Sequence, residues 1–290
     1  MKQLIQQVQE NVIKAKTLYQ EFRLYDFASY SINYLTPKDT FEKEEHLAYG
    51  LKARQRLDLY RTKNPKKQRP LIIFVHGGSW QHGNKRDYLF VGESFAREGY
   101  DVAVINYHLA PEHIFPTYID DIAQAIHYLS QNQSKLNIST DNIILMGHSA
   151  GAFNVMSVVY SAYSQNFKYK DKIRAIVGMA GPYHFDYKGD PLAEHAFDLK
   201  VSYQQVMPYY FIEPNQIKHY LLMAEQDQLV GKENSFDLDK ALREKGNHSH
   251  IAVIPKTGHI TIVATLASLM SHYFKTKRTI LHFLDEALDP

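Results

Sequence analysis

A serine flanked by small residues can act as a nucleophile, and Gly147-His148-Ser149-Ala150-Gly151 follows directly on the apolar run Ile143–Met146. The pattern has a physical use on a sharp turn from a strand into a helix. Residues beside the serine must lack bulk there, and the hydroxyl then projects at the carboxyl edge of a sheet, where open α/β folds place their ligands. A helix from Ala150 to about Tyr163 is predicted to follow. Alone the pentapeptide is weakly specific; its flanking elements sharpen it. A serine hydroxyl also needs a base to become reactive, and the attack on an acyl carbon needs donors for the developing oxyanion.

His76-Gly77-Gly78-Ser79-Trp80, immediately after the apolar run Leu71–Val75, fits the second requirement. A loop of this type turns backbone N–H groups toward a reacting carbonyl, and glycine lets the main chain approach without a Cβ in the way. The loop residues Gly77, Gly78 and Ser79 together with Ala150 are the candidate oxyanion hole, with the amides of Gly78, Ser79 and Ala150 as the expected donors. His76 is read as hydrogen-bonded within its loop and Trp80 as packed beside the site.

The chain holds 15 histidines, so a base must be chosen by position. Where such an elbow carries a triad, the order along the chain is serine, then acid, then histidine. Beyond the run Tyr220–Met223 comes Ala224-Glu225-Gln226-Asp227-Gln228-Leu229-Val230. Asp227 is the preferred acid because a D-x-x-V turn fixes a short side chain; Glu225 is the reserve. After the run Ile251–Ile254, Gly258 lets the chain turn so that His259 reaches back over the sheet. His248 and His250 fall before or within that run, and His148 is read as packing. His259 is expected to take the Ser149 proton and pass it to the leaving group, with Asp227 fixing the imidazole tautomer.

The elements that must position these residues are legible as six short apolar runs at intervals of about 30 to 45 residues, the repeat of βαβ units. They are Leu71–Val75, Val102–Ile105, Ile143–Met146, Ile173–Met179, Tyr220–Met223 and Ile251–Ile254. Continuous rather than alternating runs suit parallel strands covered on both faces. Upstream, Leu57 and Leu59 alternate with polar neighbours, which predicts an edge strand with one wet face. Ile119, Ile122, Ile126 and Leu129 mark one helix face, Tyr88, Val91 and Phe95 another that stops at Gly99, and Ile262, Leu266, Leu269 and Tyr273 a third near the end. The expected fold class is therefore α/β, a mostly parallel central sheet flanked by helices.

Two stretches stand outside the repeat. Residues 1–45 carry Leu4, Val8 and Val12 at helical spacing and then Tyr25, Phe27, Tyr30 and Tyr34. Residues 182–214 hold Tyr183, Phe185, Tyr187, Phe197, Tyr203, Tyr209, Tyr210 and Phe211. Both are expected to act as cap segments over a pocket, with packing of loop aromatics on the sheet as the equal alternative for such insertions. Residues 46–290 then form one domain, with 182–214 as a lid insertion.

Composition narrows the function class. Lys plus Arg number 33 against 31 Asp plus Glu, so no electrostatic pull on nucleic acid is expected. The basic stretch Arg61 to Arg69 is read as a solvated loop. The absence of cysteine excludes disulfides, a thiolate nucleophile and Cys-ligated zinc. The start lacks the apolar core of a secretory signal, and no run reaches the ~18 apolar residues of a membrane span. A cytoplasmic protein acting on a small-molecule ester or acyl substrate, without metal or cofactor, is the expectation.

Together these motifs resemble the α/β-hydrolase superfamily, and more closely the carboxylesterases grouped with hormone-sensitive lipase and the feruloyl-esterase-like and arylformamidase-like enzymes. Asn106-Tyr107-His108-Leu109-Ala110-Pro111-Glu112 is similar to the family's Y-R-L-A-P-E segment, Phe115-Pro116 and Asp120-Asp121 continue it, and Leu57-Asp58-Leu59-Tyr60 resembles its L-D-x-Y strand. The likeness spans about residues 48–285. Two positions depart from it: Ser79 stands where many members carry a third glycine, and His108 replaces the usual arginine. The resemblance implies a serine carboxylesterase that works through an acyl-enzyme. The H-G-G-x-W form of residues 76–80 gives an arylformamidase, similar to kynurenine formamidase, as the alternative. A ligand-binding protein that keeps the fold without the chemistry is the third reading.

Overall fold

The computed structural model describes residues 29–164 and 167–289. Leu4, Val8, Val12, Tyr25 and Phe27, and with them most of the N-terminal segment, lie outside the described residues. Among the described residues the chain runs through helix α1 (29–35), then β1 (Phe41–Ala48), β2 (Arg56–Thr62), β3 (Leu71–Val75), α2 (Leu89–Ala96), β4 (Asp101–Ile105) and α3 (Thr117–Gln131). After these come β5 (Ile143–His148), α4 (Ala150–Ser157), β6 (Ile173–Met179), β7 (Lys218–Ala224), α5 (Glu233–Glu244), β8 (Ser249–Ile254), α6 (Thr261–Ala264) and α7 (Thr276–Leu288).

Each of the six apolar runs lies in a strand, and the eight strands form one sheet in the order β1-β2-β4-β3-β5-β6-β7-β8. The pairs β1–β2 and β2–β4 are antiparallel and the other five are parallel. Alternate residues of a strand enter opposite layers. Leu71, Ile73 and Val75 pack with Ile122, Ile126, Phe153 and Leu238 on one face. Ile72 and Phe74 pack with Phe90, Phe95, Ile280 and Phe283 on the other. Double coverage is why these runs are continuously apolar. The whole is an α/β-hydrolase fold. No helix among the described residues is long and apolar enough to cross a membrane.

Four local expectations need correction. β2 is not the edge: β1 pairs outside it, and Leu57, Leu59 and Tyr60 are fully buried. Asp58, which suggested a wet face, is buried against Lys85 Nζ at 2.6 Å, so its charge is compensated inside the protein. The polar-looking strand was interior because an ion pair went in with it. The single helix expected through Ile262 and Tyr273 is instead the one-turn α6 followed by turns, with Leu269 and Tyr273 exposed. There Thr265 Oγ1 bonds the Ile262 carbonyl at 2.8 Å and Thr276 Oγ1 at 2.6 Å, giving the chain an alternative to continued helix. Helix α4 also ends early, at Ser157, where Val159 N turns to the Met156 carbonyl. The basic stretch is less solvated than it reads, since Arg61 bonds Glu44, Lys66 bonds Asp285 and Arg69 bonds Asp101.

Candidate active site

Sheet order places the chemistry. β3 lies between β4 and β5, so the loops leaving β3 and β5 sit side by side at the carboxyl edge, beside the point where strand order reverses. Val75 is the register partner of Gly147, which puts the His76–Trp80 loop against the Ser149 turn. On the far side, Ala224 pairs with Ile254, so Asp227 and His259 emerge together from neighbouring strands. β8 is three strand spacings from β5, about 14 Å, and five extended residues reach at most ~17 Å. Residues 255–259 must therefore run back almost directly toward the elbow.

The elbow is strained and enclosed. Ser149 has φ 54° and ψ −123°, outside the ordinary regions for a side-chain-bearing residue, and its N–H bonds the Met179 carbonyl at 2.8 Å. The flanking glycines are required by close approach. A Cβ on Gly147 would meet the Gly151 carbonyl oxygen at 2.3 Å, and one on Gly151 would meet the Val75 carbonyl oxygen at 2.1 Å. Backbone cannot yield at such distances, so the glycines are what let the turn close against β3.

Ser149, His259 and Asp227 meet. His259 Nε2 lies 2.8 Å from Ser149 Oγ, and His259 Nδ1 lies 2.9 Å from Asp227 Oδ2. A carboxylate accepts, so Nδ1 carries the proton and Nε2 is free to accept from the serine hydroxyl. Asp227 Oδ1 accepts from the amides of Leu229 at 2.9 Å and Val230 at 3.0 Å, which is the turn expected of D-x-x-V. Burial pushes this carboxyl up, but the His259 bond and charge with the two amides outweigh it and hold it below the usual carboxylate range. Glu225, the reserve acid, instead accepts from the Lys256 amide at 2.8 Å and so holds the loop that carries His259.

A cavity of about 130 Å³ opens beside Ser149 and His259. Of the four residues expected as an oxyanion hole, Ser79 and Ala150 line it, while Gly77 and Gly78 do not. The Gly78 carbonyl shapes the loop, accepting from the amides of Gln81 and His82 at 2.9 Å each. Among the described residues no hydrogen bond engages the amides of Ser79 or Ala150, which leaves two donors at the wall. His76 Nδ1 contacts the Gly77 carbonyl at 2.7 Å, and burial pushes its imidazole down to about 3. Trp80 donates to Asn154 Oδ1 at 2.8 Å and packs against Phe153 and Phe197.

His108 bonds Asp121 through both its amide and Nδ1, each at 2.7 Å. The position that departs from the expected arginine thus still ties the 106–112 segment to α3. From the 182–214 stretch, Pro182, Phe185, Asp190, Leu192 and Ala193 line the cavity, while Tyr183, Tyr187 and Phe197 are buried in the core. No residue between 29 and 45 lines it. The motifs did not mark Leu229, Val230, Gly231, Glu233 and Asn234 as cavity wall, and these also line it. The signal for them was their place just after Asp227. His148 Nε2 lies 2.8 Å from the carbonyl of His259, a contact that reading it as packing did not foresee. Among the described residues no group of three or more His, Asp or Glu could hold a metal ion.

Comparison with known proteins gives a family and a set of relatives. The family model described as BD-FAE matches residues 57–242. The chain is similar to a kynurenine formamidase of Salmo salar, 24% identical over 228 residues that cover 76% of each protein. It is also similar to a probable isoprenylcysteine alpha-carbonyl methylesterase of Oryza sativa subsp. japonica, 29% identical over 144 residues. That match covers 48% of this chain and 35% of the methylesterase, so the chain spans about a third of that relative's length. A crystal structure of esterase B from Lactobacillus rhamnosis superposes with a TM-score of 0.75 at 16% identity, covering 96% of this chain and 95% of that one.

Proposed function

The chain belongs to the BD-FAE family, and from that premise we propose that it is a serine carboxylesterase that cleaves small to medium carboxylic esters through an acyl-enzyme on Ser149. The observation that carries the reading is the hydrogen-bonded sequence from Ser149 Oγ through His259 to Asp227, at 2.8 and 2.9 Å. His259 Nε2 removes the hydroxyl proton as Oγ bonds the ester carbon. The carbonyl oxygen gains the electron pair and is met by the amides of Ser79 and Ala150, with that of Gly78 the third expected donor. When the tetrahedral intermediate collapses, the bond to the alcohol oxygen breaks and the imidazolium returns its proton to it. Water, deprotonated by the same imidazole, then attacks the acyl-serine and releases the acid. Asp227 stabilises the imidazolium without taking its proton.

Cavity size and charge support a substrate range. A space of about 130 Å³ suits a group near benzene in size. Asp190 and Glu233 are among its lining residues, and no lysine or arginine is, so neutral or cationic esters are favoured over anionic ones. The test is hydrolysis of a short-chain nitrophenyl ester by the native protein and by Ser149→Ala. Loss of turnover in the variant is expected; turnover that persists overturns the assignment.

A second reading, cleavage of an arylformamide by the same triad, is favoured by the kynurenine formamidase relatives, which match over most of both chains. Turnover of N-formylkynurenine compared with simple esters separates the two, and no preference for the formamide removes the second. The remaining reading, a ligand-binding protein without chemistry, predicts that Ser149 does not react with an acylating or phosphonylating agent.

A further inference from the structure

Resting on the triad reading, we propose that His148 is a positioning residue for His259, holding the main chain of the base in place through its hydrogen bond to the His259 carbonyl. His148 Nε2 is 2.8 Å from that carbonyl oxygen, and the ring is 2% exposed. A carbonyl only accepts, so Nε2 carries the proton and donates. Nδ1 has no partner among the described residues, and a Cβ at Gly77 would lie 3.0 Å from it. The imidazole is thus wedged between the loop after β3, the elbow and the loop after β8, with its ring centre 5.2 Å from that of His259. Burial pushes it down to about 3, so the ring is neutral and donates steadily near neutral pH.

The other ties on residues 255–258 do not reach the elbow. Lys256 N bonds Glu225, and Gln226 N bonds the Thr257 carbonyl, both in the loop after β7. Thr257 Oγ1 bonds Ile254, and Gly258 N bonds Thr261, within the loop's own turn. Those bonds anchor the loop on the β7 and β8 side, three strands from the nucleophile. The His148 bond fixes its other end to the residue next to Ser149. With both ends fixed, the imidazole Nε2 is held within bonding distance of Oγ; with one end loose, displacement of about 1 Å would cost on the order of 100-fold in rate.

The test measures kcat and KM for a short-chain nitrophenyl ester with the native protein, Ser149→Ala, His148→Gln and His148→Phe. Gln carries an amide donor at the reach of Nε2, whereas Phe fills the space without one. The expected result is a fall of about 100-fold in kcat for His148→Phe with KM within about threefold, and recovery to within about fivefold of native kcat for His148→Gln. Should His148→Phe not fold by circular dichroism, His148→Asn, whose donor falls short of the carbonyl, takes its place with the same expectation. Equal losses in folded Gln and Phe variants, or a Phe variant as fast as native, overturns the positioning role while an inactive Ser149→Ala leaves the triad standing. Activity in Ser149→Ala overturns both.

Discussion

The turn at Ser149 and the 182–214 segment face each other across one cavity, yet they are held by different means. At the elbow, main chain meets main chain: the glycines touch the carbonyls of β3 and of the following helix at distances no other residue allows. The 182–214 segment has three short 3-10 turns and no strand or α-helix, and beyond a main-chain bond from Phe115 N to the Ala196 carbonyl at 2.9 Å, side chains hold it. Tyr187 stacks on Phe197 at 4.5 Å, and Phe197 packs on Trp80 at 5.0 Å. His184 bonds Asp237 of α5 at 2.7 Å and Tyr210 at 2.9 Å. Backbone packing fixes the position of Ser149, because it cannot relax without unfolding. Side-chain packing can be exchanged residue by residue, so this wall is the more easily varied of the two.

The contrast predicts a graded set of effects. The largest is chemical: Asp227→Asn keeps the shape of the site but removes the carboxylate that fixes the Nδ1–H tautomer. A fall of about 10³- to 10⁴-fold in kcat, with an unchanged circular dichroism spectrum, is expected. Next comes Gly151→Ala, whose new Cβ would press on the Val75 and His76 carbonyls. A loss of about 3 kcal/mol in denaturant unfolding, with activity lost as well, is expected. A fully active, stable alanine variant would break the claim that main-chain contact sets the elbow.

A third effect separates the regions by pH. Burial pushes His76 and His148 down to about 3 and His219 to about 4, and all three lie on or just beyond the strands. Their folded values lie below the unfolded value of about 6.5, so the unfolded chain binds more protons as pH falls. The stability they contribute is fully present above about pH 6.5 and is lost through the window down to pH 3 to 4. Each costs about 1.4 kcal/mol per pH unit there. The carboxyl of Asp227, held below its usual range, acts in the same direction at the acid end. Thermal unfolding should show Tm falling steadily from about pH 7 to pH 5, and a flat profile would contradict the burial of these rings.

The smallest effect belongs to the side-chain wall. His184→Ala removes the bonds to Asp237 and Tyr210 that dock the segment beside Phe185. A change of about three- to tenfold in KM that differs between esters, with kcat within about threefold, is expected. A collapse of kcat equal to that of Asp227→Asn would erase the distinction between the two regions.

The same distinction explains what was legible in the sequence. Five of the six strands were readable because both faces of each are covered, leaving runs such as Leu71–Val75 with no polar residue, whereas β8 lies at the sheet edge with Val253 exposed. Ser149, Asp227 and His259 were readable because each follows a strand in a fixed order along the chain. β2 was misplaced because Asp58 reads as solvated, and nothing local announces that Lys85, 27 residues on, enters the core with it. The helix after His259 was overextended because apolar spacing does not register the bonds of the Thr265 hydroxyl. Glu233 and Asn234 carry no motif; they line the cavity only because α5 begins where the Asp227 turn ends. The contact from His148 to the His259 carbonyl joins residues 111 apart and has no local signature.

The proposed chemistry requires a reactive hydroxyl at residue 149 paired with the imidazole at residue 259. Treatment of the folded protein with a fluorophosphonate, followed by peptide mass spectrometry, tests that pairing directly. A single adduct on Ser149, formed far more slowly in His259→Ala, is the predicted result. An unmodified Ser149, or labelling at the same rate without the imidazole, would contradict it.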